Sequence, residues 1–444
     1  MFKYIKIFFL LSGIFCVMPL AAQQKMSLAD CLKYAIANSN KTKKAQLDIA
    51  NNQAVLREKK SAAKPQVNAD LNYQYAFSLQ EQFLKGDFGT VNDQTVAAKT
   101  GRNNTFLTGV MVEQKVFSPA IFAGLELAKT SEELFELLLN RAEEEIIYDV
   151  AEQYYGILKN QELRKAIELN FERLDGLVRI LTLQEENDFI KKSDVEGVRI
   201  KITELESKKL QLEGGILTQK MALKLLMGMD LNTDIELVEL EIVQPEAIDT
   251  TAPKKENFVV FDLLDKQIKV EEQQQKITEL SRYPSINAFG YLGFQYQNND
   301  FNPFQNEPWN ANAYIGVSIE APIFDGGQRT AKAQQNAIKI QKIQKDYEGA
   351  EQLMLFEYER NMADLATQKK MLQLQQERVD LLEDLYDQVL LQYKENTSSL
   401  LELLNAEADL RQAKVEYSVQ LFDIQQVVLK LLKARGQLKT LLNQ

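Results

Sequence analysis

Residues 313–436 decide the fold of this chain, and they contain the junction Ala321-Pro-Ile-Phe-Asp-Gly-Gly-Gln328. A strand-like segment precedes the junction. The tract that follows it lacks proline, and Gly349 is the only glycine between Gly327 and Gly436. Because proline and glycine are the residues that most often end helices, this composition predicts a strand followed by very long helices.

The last part of this tract has the pattern of a coiled-coil seam. Its apolar or small residues are spaced alternately three and four apart, and only Gln420 interrupts the series. The series comprises Leu403, Ala406, Leu410, Ala413, Tyr417, Ile424, Val427, Leu431 and Ala434. Such a/d spacing predicts a helix that packs one stripe of side chains against a neighbouring helix.

The same pattern occurs a second time, shifted by the 208 residues that separate Gly228 from Gly436. The earlier seam comprises Val195, Val198, Ile202, Leu205, Lys209, Leu212, Ile216, Gln219, Leu223 and Leu226. The strand-to-helix junction recurs too, because residues 109–118 resemble residues 316–325. We therefore predict two copies of a unit of about 200 residues. The predicted bounds are a signal peptide at 1–22, repeat 1 at 23–228, a connector at 229–257, repeat 2 at 258–436 and a tail at 437–444.

Composition excludes several classes of function. The 444 residues include no histidine and carry a formal net charge of -11. Without histidine there can be no Ser-His-Asp or Cys-His arrangement and no His-ligated zinc site. The carboxylates form no converging motif, so we predict no enzyme activity, no catalytic residue, no metal and no cofactor. An acidic chain is also poorly suited to phosphate backbones, so we expect no nucleic-acid partner.

The N-terminus has the layout of a secretory signal peptide. Lys3 and Lys6 precede an apolar run from Ile7 to Leu20, and Ala21-Ala22-Gln23 follows it. A lipobox ending at Cys16 is the alternative. No other apolar stretch approaches the ~18 to 20 residues of a transmembrane helix, so we expect any insertion into a membrane to use strands closed into a β-barrel.

Each predicted repeat contains one amphipathic helix and one long helical hairpin. The first helix is predicted at Ser27–Ala63, with Ser27 as its N-cap and Cys31 buried on its apolar face. Phe258–Leu280 is its second copy. The hairpin of repeat 1 is predicted at 121–186 and 193–228, and that of repeat 2 turns at 395–397 and ends at Gly436.

Four strands are predicted, at Gln66–Phe77, Thr105–Val116, Ile286–Tyr296 and Ala313–Ile323, with polar loops at 78–104 and 298–312. The first alternates apolar and polar residues throughout, as expected of a strand that spans an outer membrane. The alternative is a half-buried strand of a soluble sheet. Phe289 and Tyr291 depart from the pattern, because they place aromatic rings on the face expected to be polar.

Four strands cannot close a barrel, and a membrane tolerates no open sheet edge. Several chains are therefore expected to share one barrel. Two copies would give eight strands, with an interior filled by side chains, whereas three give twelve and leave a water-filled lumen. Polar residues such as Asn68, Asp70 and Asn72 favour the wider barrel.

The residues resemble the TolC family of outer-membrane efflux channels. The resemblance is carried by the junction at 321–328 with its duplicated partner, and by the hairpin turns at 186–195 and 394–405. It implies an α+β fold in which a duplicated unit of a strand hairpin and a long helical hairpin builds a trimeric, twelve-stranded outer-membrane β-barrel. A periplasmic α-helical barrel would continue it. The location implied is the outer membrane of a Gram-negative bacterium, with an extension into the periplasm.

The resemblance also implies partners. They are two further copies of the chain in a homotrimer, outer-membrane lipid, a periplasmic adaptor (membrane fusion protein) and an inner-membrane transporter of the RND or ABC type. The chain would then be the passive exit duct of a tripartite efflux or type I secretion system. The alternative function is a periplasmic coiled-coil adaptor or another scaffold of the cell envelope.

The family's functional positions fall on the two hairpin turns and the helix that follows the second. The tip that contacts the adaptor would comprise Asn187, Asp188, Phe189, Glu395, Asn396 and Thr397. Asp188 and Asn396 stand where the family usually has glycine, and both residue types tolerate the left-handed conformation. The gate would comprise Glu402, Asn405 and Asp194, with three copies of Glu402 in one ring. The alternative for Glu402 is an ordinary solvated helical residue.

Overall fold

The computed structural model describes residues 24–85, 95–239, 248–302, 309–395 and 397–443. Within these ranges the chain divides into two units. Unit one takes its residues from 24–44, 139–258 and 351–443, and unit two takes them from 45–138 and 259–350. These units cut across the predicted repeats, so the repeat bounds stay a prediction. The predicted signal peptide at 1–22 lies outside the described residues.

The helices are α1 (Leu28–Asn38), α2 (Asn40–Ser61), α3 (Pro119–Glu186), α4 (Lys192–Met227), α5 (Val259–Leu280), α6 (Gln328–Lys394) and α7 (Leu400–Ala434). The strands are β1 (Gln24–Met26), β2 (Gln66–Tyr75), β3 (Gln80–Lys85), β4 (Thr95–Thr100), β5 (Asn104–Phe117), β6 (Ile235–Leu237), β7 (Ser285–Asn298) and β8 (Asn310–Glu320). In the ranges described above, none of the helices combines the length and apolar character that crossing a membrane requires.

Unit two contains an antiparallel sheet of four strands in the order β2-β5-β7-β8. The four predicted strands are confirmed, with ends that differ by up to three residues. β5 and β7 form the centre and pair over thirteen positions, with a register shift between Lys115 and Phe117. Among the described strands, β2 and β8 each have a neighbour on one side only.

The register sorts the side chains of this sheet onto two different faces, because directly opposed residues share a face. One face, here called the apolar face, includes Val67, Ala69, Leu71, Phe106, Val110, Val112, Leu292, Phe294, Ala313, Ile315 and Val317. The other, here called the polar face, includes Asn68, Asp70, Asn72, Gly109, Met111, Glu113, Phe289, Tyr291, Gly293, Asn312, Tyr314 and Gly316. The predicted alternation is therefore confirmed, including the aromatic rings on the polar face.

The junction between β8 and α6 is a tight turn. Gly326 and Gly327 have φ angles of 64° and 86°, which glycine adopts readily because it lacks a Cβ. The Asp325 carboxylate accepts hydrogen bonds from the N–H groups of Gly327 (3.1 Å) and Arg329 (3.0 Å). The Arg329 guanidinium donates to the same carboxylate. Asp325 thus caps the first turn of α6, which begins after the junction at 321–327.

Unit one contains the predicted seam of α7. Ala406, Leu410, Ala413, Ile424, Val427, Leu431 and Ala434 are buried, as the a/d spacing predicted. Gln420, the one interruption, is also buried and donates a hydrogen bond to the side chain of Gln368 on α6. The polar residue in the seam is therefore satisfied by the facing helix, as a buried amide must be.

The first predicted helix is wrong in one respect, because the segment 27–63 forms two helices rather than one. Ser27 caps α1 as predicted, through a reciprocal pair of bonds with Asp30. Ser39 then has an extended backbone, and its hydroxyl accepts a hydrogen bond from the Thr42 N–H (3.2 Å). A serine hydroxyl that bonds the backbone in this way ends one helix and caps the next.

Cys31 lies fully buried in the core of unit one, among residues of α1, α3 and α4. Burial raises the pKa of its thiol to about 12. A thiol in such surroundings stays protonated and inert near neutral pH. The predicted packing role of Cys31 is confirmed.

Two segments predicted as plain loops contain strands. Residues 78–104 include the antiparallel hairpin of β3 and β4. The connector includes β6, which pairs in parallel with β1 near the start of the described chain. The Tyr154 hydroxyl on α3 lies 3.2 Å from the Met26 carbonyl and 2.6 Å from the Val238 carbonyl. It therefore links the ends of the two paired strands.

Candidate functional site

The first hairpin turn joins α3 to α4 at Asp188, whose φ angle is 62°. The Asp188 N–H donates to the Glu185 carbonyl, and the Phe189 N–H donates to the Gln184 carbonyl, both at 2.9 Å. Such a pair of bonds ends a helix around a left-handed residue that is usually glycine. Asp188 therefore takes the left-handed conformation that its residue type tolerates.

The side chains beside Asp188 divide into one that supports the turn and one that faces solvent. The Asn187 amide donates a hydrogen bond to the Leu183 carbonyl (2.7 Å) and so satisfies one of the last carbonyls of α3. The Phe189 side chain is 80% exposed. The first hairpin turn therefore presents an exposed aromatic ring to solvent.

The second hairpin turn joins α6 to α7, and Asn396 at its centre lies outside the described residues. The Glu395 N–H donates to the Leu391 carbonyl (3.1 Å). The Thr397 N–H (2.8 Å) and hydroxyl (3.0 Å) both donate to the Gln392 carbonyl. The bond from Thr397 spans five residues, as does the bond from Phe189, but here the side chain next to the turn is polar.

Glu402 belongs to a capping box at the start of α7. The Ser399 hydroxyl accepts from the Glu402 N–H (3.2 Å), and the Ser399 N–H donates back to the Glu402 carboxylate (2.8 Å). The Ser398 hydroxyl donates to the same carboxylate (2.7 Å). The Ser399 hydroxyl also donates to this carboxylate (3.1 Å), so three donors hold the exposed Glu402 side chain. These bonds give Glu402 a capping role, and its role in a gate stays a prediction.

These donors also set the ionisation of Glu402. Hydrogen bonds from Ser398 and Ser399 stabilise the charged form and lower the pKa of the carboxyl below its usual value. The Glu402 side chain therefore carries its negative charge throughout the neutral and mildly acidic range.

The two other predicted gate residues are less fully placed. Asn405 is exposed on α7, next to the buried seam residue Ala406. Asp194 lies in the first turn of α4, and its side chain is outside the described residues. The predicted bond from Asp194 across the hairpins therefore stays a prediction.

An apolar cluster supports both turns from within unit one. Leu174, Leu177 and Leu181 of α3 pack with Val195 of α4, and Leu404 of α7 packs against them. A cavity of about 610 Å³ lies beside this cluster, lined by Leu177, Ile180, Leu181, Ile190, Val198 and Leu401. The start of α7 is thus seated against the first hairpin by apolar contacts.

Arg173 adds a polar link that sequence reasoning missed. Its guanidinium on α3 donates to the Leu404 carbonyl on α7 (3.1 Å), two residues after Glu402. Burial lowers the pKa of Arg173, while Asp409 and Glu407 oppose that shift. The residue spacing in α3 does not predict this hydrogen bond, because the partner of Arg173 lies 231 positions away in the sequence.

Residues 262–437 match the family described as outer membrane efflux protein, and this range includes α6, the second turn and α7. The second half of the chain is therefore similar to the outer membrane efflux protein family. No curated protein sequence matches the chain.

Solved outer-membrane channels have a similar fold over 92% of this chain. VceC of Vibrio cholerae is 16% identical, is covered over 96% of its length and gives a TM-score of 0.66. CmeC of Campylobacter jejuni is 15% identical, with 85% covered and a TM-score of 0.69. MtrE of Neisseria gonorrhoeae is 16% identical, with 88% covered and a TM-score of 0.65. At these identities the likeness establishes the fold, and the predicted α+β class is confirmed.

The family match over residues 262–437, together with the channel fold, indicates the general function. The chain is an efflux channel of the outer membrane that extends into the periplasm, and it moves solutes rather than catalysing a reaction. The alternative of a periplasmic coiled-coil adaptor is thereby set aside.

Proposed function

We propose that three copies of this chain form one channel, the passive exit duct of a tripartite efflux or type I secretion system, and that the channel is gated at the hairpin turns. The observation that carries the proposal is the sheet of unit two. Its four strands have one apolar and one polar face and leave β2 and β8 at the edges.

Closure of the sheet requires other copies of the chain. Unpaired strand edges expose N–H and C=O groups, which a bilayer cannot satisfy. If β8 of one copy pairs with β2 of the next, the backbone groups of both edges are hydrogen-bonded. The same contact is then repeated around a symmetry axis. Three copies give twelve strands, enough to enclose water on the polar face.

The apolar face suits contact with outer-membrane lipid. At one end it has a cluster of rings, in which the Tyr73 centroid lies 4.6 Å from that of Phe106 and 5.4 Å from that of Phe301. The Tyr296 ring also belongs to this cluster, and the centroid of the Trp309 ring lies 5.5 Å from that of Tyr296. A band of aromatic residues is typical of the boundary between hydrocarbon and water in outer-membrane barrels.

Glu402 supports the proposed gate. In a trimer it would place three carboxylates in a ring, which attracts cations and disfavours anions. The capping box holds each carboxylate at the first turn of α7, and the lowered pKa keeps it charged. Asn405 and Asp194 complete the proposed gate, and the bond from Arg173 to Leu404 ties α7 to α3 beside it.

The turns themselves are the proposed contact with a periplasmic adaptor, or membrane fusion protein. Exposed Phe189 offers apolar area in repeat 1, while Glu395 and Thr397 offer polar groups in repeat 2. Through that adaptor the channel would join an inner-membrane transporter of the RND or ABC type. The similar protein MtrE has a structure described as its open state. By analogy, we propose that adaptor contact separates the hairpins of this chain.

Planar-bilayer conductance of detergent-purified mature protein tests the proposal, with the oligomeric mass measured on the same sample. We expect trimers with small, cation-selective currents. Glu402→Gln, which keeps an amide in the capping box but removes the charge, should weaken cation preference. Glu402→Ala should in addition raise the conductance.

Glu359→Gln is the matched control, since it removes one exposed carboxylate about 50 Å along α6 from the second turn. It should leave selectivity unchanged. A monomer without conductance would overturn the trimeric channel. Unaltered selectivity in both Glu402 variants would refute the gate alone.

A further inference from the structure

We infer that the polar face of the sheet holds a binding site for organic cations that carry aromatic rings. The site comprises Phe289, Tyr291 and Tyr314 with the carboxylates of Asp70 and Glu113. This inference rests on the proposed trimer, because there the polar face lines the lumen and every departing solute passes it.

The three rings form one continuous patch. The Tyr291 and Tyr314 centroids lie 5.3 Å apart with the rings inclined by 27°, which is a stacked arrangement. The Phe289 and Tyr314 centroids lie 6.1 Å apart, edge to face. Tyr314 is 46% exposed, so the patch is open to a ligand from the polar side.

Glycines beneath the rings explain why the patch lies close to the sheet. A Cβ on Gly109 or Gly293 would overlap the Tyr291 hydroxyl group, and a Cβ on Gly316 would lie 2.7 Å from Cζ of Phe289. The absence of side chains at these positions lets both rings lie down against the backbone. Rings held in this way offer their π-faces, which carry negative potential and attract cations.

Carboxylates flank the patch on the same face. Asp70 is directly opposite Gly109, and Glu113 is directly opposite Phe289. The other charged residues on the polar face of the four described strands are Lys115, which is opposite Asn287, and Glu320 at the end of β8. Acidic groups therefore outnumber basic ones around the rings, which favours a cation over an anion.

This combination selects a narrow class of ligand. An aromatic cation can stack on a ring, interact with the π-face through its charge and approach a carboxylate at the same time. An aliphatic cation lacks the stacking contact, and an aromatic anion is repelled by Asp70 and Glu113. Because the rings line the lumen, such a ligand would bind in transit and reduce the current of smaller ions.

The test is current block in planar bilayers by tetraphenylphosphonium, with tetrabutylammonium as an aliphatic cation of the same charge. Tyr314→Leu removes the exposed ring, Tyr314→Phe keeps it, and Asp70→Asn removes a flanking charge. Phe294→Leu is the matched control, because Phe294 is equally exposed on the opposite face of β7.

For the wild type we expect half-block by tetraphenylphosphonium at a lower concentration than by tetrabutylammonium. Tyr314→Leu and Asp70→Asn should each raise that concentration about threefold. Tyr314→Phe and Phe294→Leu should leave it near the wild-type value.

Equal block by the two cations in a conducting wild-type channel would overturn the site and leave the proposed channel intact. The rings would then only shield the glycine backbone. A wild-type protein without conductance would overturn the channel and the site together.

Discussion

The first hairpin turn and the C-terminal ends of α4 and α7 share one backbone geometry but differ in residue type. The φ angle is 62° at Asp188, 70° at Gly228 and 66° at Gly436. In each case the next N–H donates to the carbonyl five residues back. These bonds run from Phe189 to Gln184, from Met229 to Lys224 and from Gln437 to Leu432.

The difference lies in what surrounds the left-handed residue. A Cβ on Gly228 would overlap the carbonyl oxygen of Asn38, and one on Gly436 would overlap that of Asn257. Asp188, by contrast, carries a side chain at a turn whose next residue, Phe189, faces solvent. The left-handed backbone alone therefore tolerates aspartate, whereas close contact with a second backbone segment requires glycine.

Gly436→Ala should have the largest effect on stability. The new methyl group combines the cost of a left-handed alanine with displacement of the Asn257 backbone, together about 3 kcal/mol. Urea unfolding in detergent, followed by far-ultraviolet circular dichroism, measures the loss. Gly228→Ala should behave in the same way, since its surroundings in unit one are equivalent.

Gly349→Ala is the control for this prediction. Gly349 lies in α6, and in the described chain a Cβ there would meet nothing within 4 Å. Alanine should therefore stabilise the helix by about 0.5 to 1 kcal/mol. If Gly436→Ala proved as harmless as Gly349→Ala, steric contact would not be the reason for glycine at the end of α7.

Much of the fold could be predicted because the signals were local. The a/d spacing from Leu403 to Ala434 identified the buried stripe of α7, and period-two alternation from Gln66 identified the faces of β2. The break at Ser39 was missed, because a serine that caps a helix looks like any other serine within an amphipathic pattern. The pairing of β1 with β6 was missed because its partners lie far apart in the sequence.

The candidate site was predictable only in part. The positions of the two turns followed from interruptions of the helical pattern, and the left-handed backbone of Asp188 agrees with a residue type that tolerates it. The capping role of Glu402 could have been found, because Ser399 stands three residues before it and the motif is local. Arg173 could not, since its partner belongs to another helix.

Ser399→Ala should have a smaller effect, confined to the second turn. Loss of the N-cap hydroxyl leaves the Glu402 N–H without its acceptor and costs about 1 kcal/mol. Hydrogen exchange read by mass spectrometry should show faster exchange at the start of α7. Ser418→Ala is the control, because in the described part of the chain the Ser418 hydroxyl bonds only the Lys414 carbonyl within α7. Equal exchange in the two variants would contradict the cap.

The charge of Glu402 should make the second turn sensitive to acid. Its pKa is lower in the folded chain, so its stabilising contribution is complete above the unfolded value of about 4.3. The contribution is lost as pH falls through the folded pKa. The thermal midpoint of wild type should exceed that of Glu402→Gln at neutral pH and converge with it in acid. A difference in thermal midpoint that did not change with pH would rule out a stabilising role for the charge of Glu402.

Asp188→Gly should have the smallest effect on stability. Glycine removes the strain of the left-handed conformation, which stabilises the fold, but it also raises the conformational entropy of the unfolded chain, which destabilises it. The two contributions nearly cancel, so the free energy of unfolding should change by about 0.5 kcal/mol or less. Asp188→Ala should cost about 1 kcal/mol, because alanine lacks the local polar contacts that ease this conformation. Urea unfolding compares the two variants. If the glycine variant folds normally yet loses binding to the proposed periplasmic adaptor, the carboxylate at position 188 acts in that contact. Normal binding would instead mean that the position matters only for its backbone, as at Gly228 and Gly436.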